Sequence, residues 1–209
     1  MNTLYIPIGI SGSGKSFLGK KLCEIYKSME ERFSVVCPDD IRKRLYGDIN
    51  HIGGSEPFTV SKGEIVSSLK ENSDVYFSSL NLNYRSKFIN EIKKEINFKT
   101  IYIIMLDSFD EDLCRERVEK DLSDKKERSN TLSIVGKDKD VIKAQYENFC
   151  TQFAFNDGDL IYLGDFKTFG FEKNIMDTAV IPYSGNAEAV FITSELLKND
   201  TSKIFIKKN

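Results

Sequence analysis

Gly9-Ile10-Ser11-Gly12-Ser13-Gly14-Lys15-Ser16 is the stretch from which the rest of the chain is read. It fits G-x-x-x-x-G-K-[ST], a loop whose backbone wraps a chain of phosphates. The apolar run Leu4-Tyr5-Ile6-Pro7-Ile8 before it predicts a strand. From Phe17 to Tyr26 after it, apolar residues recur at helical spacing. Strand, glycine loop and helix are the setting the motif requires. Glycine allows positive φ and brings no Cβ, so the backbone can close around an anion. Its N–H groups and the helix N-terminus then face the phosphates. The residues expected to hold the nucleotide are Gly9, Ser11, Gly12, Ser13, Gly14, Lys15, Ser16 and Phe17. Lys15 would reach the β- and γ-phosphates, and the Ser16 hydroxyl would ligate Mg²⁺. ATP and Mg²⁺ are the cofactors this implies.

The chain has 209 residues, 40% of them hydrophobic, enough for one globular domain with a modest appendage. Lys plus Arg total 30 against 32 Asp plus Glu, so there is no global basic field. A nucleic-acid partner would need a local basic patch. Cys23, Cys37, Cys114 and Cys150 form no C-x-x-C and read as reduced residues of a cytosolic protein. The longest apolar run, residues 101–106, is far too short to cross a bilayer. The N-terminus has no basic n-region. A cytoplasmic protein with no membrane partner is expected.

Past the first helix, expected over 15–30, a short strand at 32–37 runs into Pro38-Asp39-Asp40-Ile41-Arg42-Lys43-Arg44-Leu45-Tyr46-Gly47. Proline disfavours continuing the strand, and aspartate favours a helix start. Asp39 therefore sits at a strand's C-terminal end, the edge where ligands bind in open α/β sheets. Arg42 follows on the same helical face. The aspartates here could simply cap the helix, or Asp39 could take the proton from an attacking hydroxyl. His51, the lone histidine, reads as a surface residue of a glycine-bearing loop. A helix is expected over 56–70, a strand over 74–79, and a helix over 86–97 with Phe88, Ile89, Ile92 and Ile96 as its core stripe. Residues 99–107 form the clearest buried strand, because the apolar run does not alternate. A helix opening at Asp110-Glu111, a charged loop and a helix over 139–153 suggest a lid over the nucleotide. In the tail, residues 160–163 are expected as the last sheet strand, 186–198 as a helix and 204–206 as a short strand. The tail carries no chemical motif, and oligomerisation or substrate access are the roles open to it.

This series resembles the P-loop kinases typified by the phage-type polynucleotide 5′-hydroxyl kinase, which share their scaffold with zeta-toxin-like kinases. The likeness spans roughly residues 3–155, through Gly9–Ser16, Asp39-Asp40-Ile41-Arg42, Asn81-Leu82-Asn83 and the lid. The fold it implies is α/β: a three-layer P-loop NTPase with a mostly parallel central sheet, a helical lid and a small C-terminal α+β extension. The expected division is 1–158 for the kinase domain and 159–209 for the extension. By the resemblance, Asp39 is the general base for a 5′-hydroxyl, Arg42 contacts the acceptor's phosphate, and Arg117 is the first lid arginine, acting on the phosphates. The chain departs from the pattern in having Ser78-Ser79 at the end of the third strand, where the family carries Asp. The family's second lid arginine is expected near Asp121, where only Lys120, Lys125, Lys126 and Arg128 are nearby.

Three readings stay open: a kinase of nucleic-acid 5′-hydroxyls (DNA or RNA), a kinase of small-molecule acceptors, and a nucleotide-binding protein that hydrolyses slowly and acts through partners. Arg42, Lys43 and Arg44 could track an acceptor backbone or could be a solvated face. Tyr46, Phe58 or Tyr84 could stack on a base. A homo-oligomer is compatible with each reading.

Overall fold

The computed structural model describes residues 1–51, 54–79, 85–127, 140–151, 153–154, 160–161, 180–182 and 187–198. Strand β1 (Thr3–Ile8) leads through the glycine loop into α1 (Lys15–Ser28). Strand β2 (Phe33–Val36) and helices α2 (Pro38–Tyr46) and α3 (Glu56–Lys70) follow. Next come β3 (Asp74–Phe77), α4 (Arg85–Lys93) and β4 (Lys99–Met105). A 3-10 turn (Leu106–Phe109) then enters α5 (Glu111–Ser123), and α6 (Val141–Thr151) is the next described helix. The tail contributes β5 (Phe153–Ala154), β6 (Leu160–Ile161), β7 (Val180–Pro182), β8 (Ala187–Ile192) and a 3-10 turn (Leu196–Lys198).

The main sheet runs β2-β3-β1-β4-β8-β7, parallel except for the antiparallel edge strand β7. Its two faces can be read from the alternation of side chains. Leu4, Ile6, Ile8, Tyr102 and Ile104 pack with Ile65 and Leu69 of α3, Ile89 and Ile92 of α4, Cys114 and Val118 of α5 and Ile142 of α6. Tyr5, Ile101, Ile103 and Met105 point the other way, onto Leu18, Leu22 and Tyr26 of α1 and onto Leu197. With both faces covered, β4 must be apolar throughout, hence its unbroken run. The result is the three-layer α/β fold.

Two expectations about the tail are corrected. Ala187–Ile192 is a strand and not part of a helix over 186–198. Ala and Glu at 187–189 favour helix locally, but pairing with β4 along six residues, Thr100↔Ala187 to Met105↔Ile192, outweighs that preference. Residues 160–161 are not in the main sheet; they pair antiparallel with β5 in a separate two-stranded sheet. The Asn81-Leu82-Asn83 turn, Tyr84, the lid loop from Arg128 onward and residues 204–206 lie outside the described residues.

Opposite the glycine loop, the N-terminal edge is pinned by a polar chain. Tyr26 of α1 donates to Asp74 Oδ2 (2.5 Å), the Tyr5 and Tyr26 hydroxyls are 2.7 Å apart, and Thr3 N–H donates to Asp74 Oδ1 (2.7 Å). Burial pushes the Tyr5 phenol up to about 12 and raises Tyr26 as well. A phenol whose folded pKa lies above its unfolded one contributes stability that is complete below the unfolded value and lost as pH rises through the folded one. The unfolding free energy should therefore begin to fall near pH 10 and keep falling towards 12. Tyr5→Phe should flatten that slope in urea titrations. An identical slope in the variant would remove Tyr5 from the account.

A chain cut to residues 1–158 would lose β8 and leave one side of β4 unpaired along its length, an open edge that invites aggregation. Cooperative melting should be lost. A sharp two-state melt of the fragment would instead establish 1–158 as a self-sufficient unit.

Candidate active site

The glycine loop joins the end of β1 to the start of α1, at the edge where β1, β2, β3, β4 and β8 all terminate. Gly14 stands at the α1 N-cap with φ +98° and offers no side-chain cap. A helix start of this kind suits an anion or water, which can meet first-turn N–H groups. Gly12 has φ +85°, and a Cβ there would lie 2.1 Å from the Cys114 carbonyl oxygen of α5. No other residue fits that position. Neighbours hold the loop's shape: Ile10 N–H donates to Ser108 Oγ (3.1 Å) and Ser11 N–H to Gln145 Oε1 of α6 (2.8 Å). Gly9 leaves β1 against Ser108 and Met105, and Ser13 is buried. Ser16 and Phe17 are exposed at the first turn of α1.

Lys15 is buried, its ammonium folded back onto the Gly9 (2.9 Å) and Ile10 (2.5 Å) carbonyls. Its own carbonyl accepts from the Tyr76 hydroxyl (2.6 Å), which ties α1 to β3. Such carbonyl contacts satisfy the charge and can be exchanged for phosphate oxygens.

Asp107, just past β4, is the other charged residue buried here among the described residues. Its Oδ2 receives Arg117 Nη1 (2.7 Å) and the Ser194 hydroxyl, and its Oδ1 receives Ser194 N–H (3.1 Å). Arg117 also donates to Ser194 Oγ (3.0 Å) and Gly12 O (3.3 Å). The structure thus brings Lys15, Gly12 and Arg117 to one loop and adds two residues with no assigned role from sequence. Asp107 was legible as an acidic strand end. Ser194 was hidden by the helical reading of 186–198; as the second residue after a parallel strand, it belongs to the ligand edge. Arg115 pairs with Glu111 (2.6 Å) and Asp140 (2.7 Å), joining α5 to the start of α6. The Asp140 carboxyl is held below its ordinary value, first by the Lys143 N–H it caps and also by Arg115.

Asp39 and Arg42 form a second group, at the end of β2. Cys37 is the N-cap of α2 and Pro38 occupies its first turn, so neither Asp39 nor Asp40 is the N-cap. Asp39 Oδ1 instead receives Arg42 Nη1 (2.5 Å), and Arg42 also donates to Ile49 O (3.3 Å). Lys43 pairs with Glu127 (2.5 Å) and Arg44 with Glu64. Burial pushes the Cys37 and Cys114 thiols up to about 11, which favours the neutral thiol over the thiolate near pH 7. At the end of β3, Ser78 N–H donates to Val36 O (2.9 Å) and Ser79 is buried; no carboxylate stands there. Asp121 holds Lys126 (2.8 Å). Among the described residues, no group of three or more His, Cys, Asp or Glu could hold a metal, and no helix is long and apolar enough to cross a membrane.

No protein-family model and no curated protein matches the chain. Solved structures do. A protein from Chloroflexus aurantiacus, provisionally named a kinase, superposes with a TM-score of 0.56 at 14% identity, over 97% of this chain and 94% of its own. A chain of the Pnkp1/Rnl/Hen1 RNA repair complex gives 0.49 at 16% identity, over 88% of this chain and 53% of its own. A gluconokinase from Sinorhizobium meliloti gives 0.44 at 14% identity, over 94% and 86%. The likeness is one of fold alone.

Ser194→Ala would leave the buried Asp107 carboxylate one donor short, at a cost of about 1–3 kcal/mol. It would also free Arg117 on one side. The expected result is a lower urea midpoint together with weaker ATP binding by calorimetry. Loss of stability with unchanged ATP affinity would make Ser194 purely structural.

Proposed function

We propose that the chain is an ATP-dependent kinase that transfers the γ-phosphoryl group to the 5′-hydroxyl of a nucleic acid. The observation that carries this reading is the Asp39–Arg42 pair. It places an acid and a cation together at the end of β2, on the same sheet edge as the glycine loop. The fold, shared with solved P-loop kinases, supports the nucleotide half of the reading.

The residues present fit ATP: an uncapped helix start, a loop that only glycine can close at Gly12, and a lysine with exchangeable partners. For Mg²⁺ the chain offers the exposed Ser16 hydroxyl, in the first turn of α1 beside that loop. When bound, Mg²⁺ would neutralise charge on the transferring phosphates.

The chain's own part follows from geometry. Lys15 leaves the Gly9 and Ile10 carbonyls and takes the phosphates. Arg117, fixed by Asp107 and Ser194, presents its remaining N–H groups at the loop. Asp39 accepts the proton of the attacking hydroxyl as the new O–P bond forms, while Arg42 holds an acceptor phosphate. Phosphoryl transfer asks for positioning and charge stabilisation more than covalent chemistry, and this set supplies both.

A second reading, a small-molecule acceptor, is favoured by one observation. Lys43 and Arg44 are already paired with Glu127 and Glu64, so α2 does not carry three unopposed cations.

Transfer of labelled γ-phosphate to 5′-hydroxyl DNA, 5′-hydroxyl RNA and a pool of nucleosides and sugars tests both readings. Lys15→Ala should abolish turnover on any acceptor. Asp39→Asn should bind ATP normally and transfer at least about 10²-fold more slowly. A normal rate in Asp39→Asn would show that Asp39 is not the base, and label confined to the small-molecule pool would favour the second reading.

A further inference from the structure

Helix α6 reaches the glycine loop through Gln145. The helix is well seated for this. Asp140 caps its start through the Lys143 N–H (3.0 Å) and pairs with Arg115 of α5. Ile142, buried, and Tyr146, partly buried, set its inner face against the core. Gln145 follows Ile142 by three positions and shares that side of the helix. Its Oε1 accepts from Ser11 N–H (2.8 Å).

One peptide of the loop is therefore held at both ends. The Ile10 carbonyl accepts from the Lys15 ammonium (2.5 Å), and the N–H of the same peptide, that of Ser11, donates to Gln145. A lysine in this motif reaches the β- and γ-phosphates, whereas loop N–H groups cradle those nearer the nucleoside. The Ile10–Ser11 peptide thus lies at the end of the loop where the terminal phosphate belongs, and Gln145 stands beside it.

The two ends of a glutamine side chain differ. The oxygen accepts, and the nitrogen carries two donors. The Ser11 N–H can face only the oxygen, so this contact fixes which end is which. Nε2 has no protein partner among the described residues. Gln145 is half-buried, so its free donors lie beside the loop and only partly in water.

We infer that Gln145 is a catalytic residue of the nucleotide site. With Oε1 on Ser11 N–H, its Nε2–H₂ donates to an oxygen of the terminal phosphate and so tells a triphosphate from a diphosphate. The inference rests on the nucleotide half of the reading above and adds a residue that bears on the γ-phosphate alone. The amide gives up no proton during transfer. It donates a hydrogen bond to the phosphoryl group as its bond to the β-phosphate oxygen breaks and its bond to the acceptor oxygen forms.

Calorimetry on the full chain with Mg²⁺ tests this by comparing a non-hydrolysable ATP analogue with ADP. Gln145→Met keeps the length of the side chain and removes both ends of the amide. Losing a hydrogen bond to a charged oxygen should weaken the ATP analogue about tenfold more than ADP. A residue that only props the loop would affect both nucleotides alike, because the same loop holds the β-phosphate that both carry. Nuclear magnetic resonance of the unchanged protein gives a readout that depends on no variant. The side-chain N–H pair of Gln145, recognised by its proximity to the Ser11 N–H, should shift and exchange more slowly with the ATP analogue than with ADP.

Equal effects on both nucleotides in Gln145→Met, or a side-chain signal that responds alike to both, would overturn the assignment and leave the kinase reading intact. Failure of the unchanged protein to bind either nucleotide would overturn both.

Discussion

Parallel strands all end at the same edge, and this constraint shapes the rest of the molecule. With β2, β3, β1, β4 and β8 running one way, the residues that follow each strand meet along a single border. The glycine loop follows β1, Asp39 follows β2, Asp107 follows β4 and Ser194 follows β8. Residues 180 positions apart in sequence thus reach one site without any dedicated contact having to carry them there. The opposite border has a different task, and its Tyr5–Tyr26–Asp74 chain anchors α1.

Within the border, the buried Asp107 carboxylate is the organising charge. A carboxylate out of water must be paired and hydrogen-bonded, and three donors meet that need. Two come from Ser194, so the tail is joined to the loop region by polar bonds as well as by the β4–β8 ladder. The third comes from Arg117, whose free reach is thereby limited to the neighbourhood of Gly12. Lys15 is the complementary case, a cation held by carbonyls that a phosphate can displace. One cation at the loop is thus fixed by a carboxylate and the other is held by exchangeable carbonyls.

Along α2 the order of the side chains is set by a helix instead of a loop. Regular spacing along α2 sets Asp39, Arg42 and Tyr46 in a line, and the acids of α3 and of the segment after α5 neutralise the cations beside that line.

Much of this was legible in the chain itself, wherever local rules and long-range packing agree. Gly9–Ser16 announces its own geometry, because positive φ and the absence of Cβ can be read from glycine spacing alone. The unbroken apolar run of β4 implies a sheet covered on both faces, and the order strand, Pro38, Asp39, helix puts Asp39 at a strand end. The stripe Phe88, Ile89, Ile92 and Ile96 likewise packs as its spacing implies. Tertiary structure decided the rest. Ala187–Ile192 has helix formers at its start, and its pairing with β4 on one side and β7 on the other makes it a strand. Ser194 becomes part of the site through that pairing, and Gln145 through the folding of α6 onto the loop. The partners of Lys43 and Arg44 lie 84 and 20 residues away. Local sequence specifies conformation where the backbone's own preferences suffice. Contacts between distant segments depend on which surfaces the assembled layers leave to be satisfied, and no single segment contains that information.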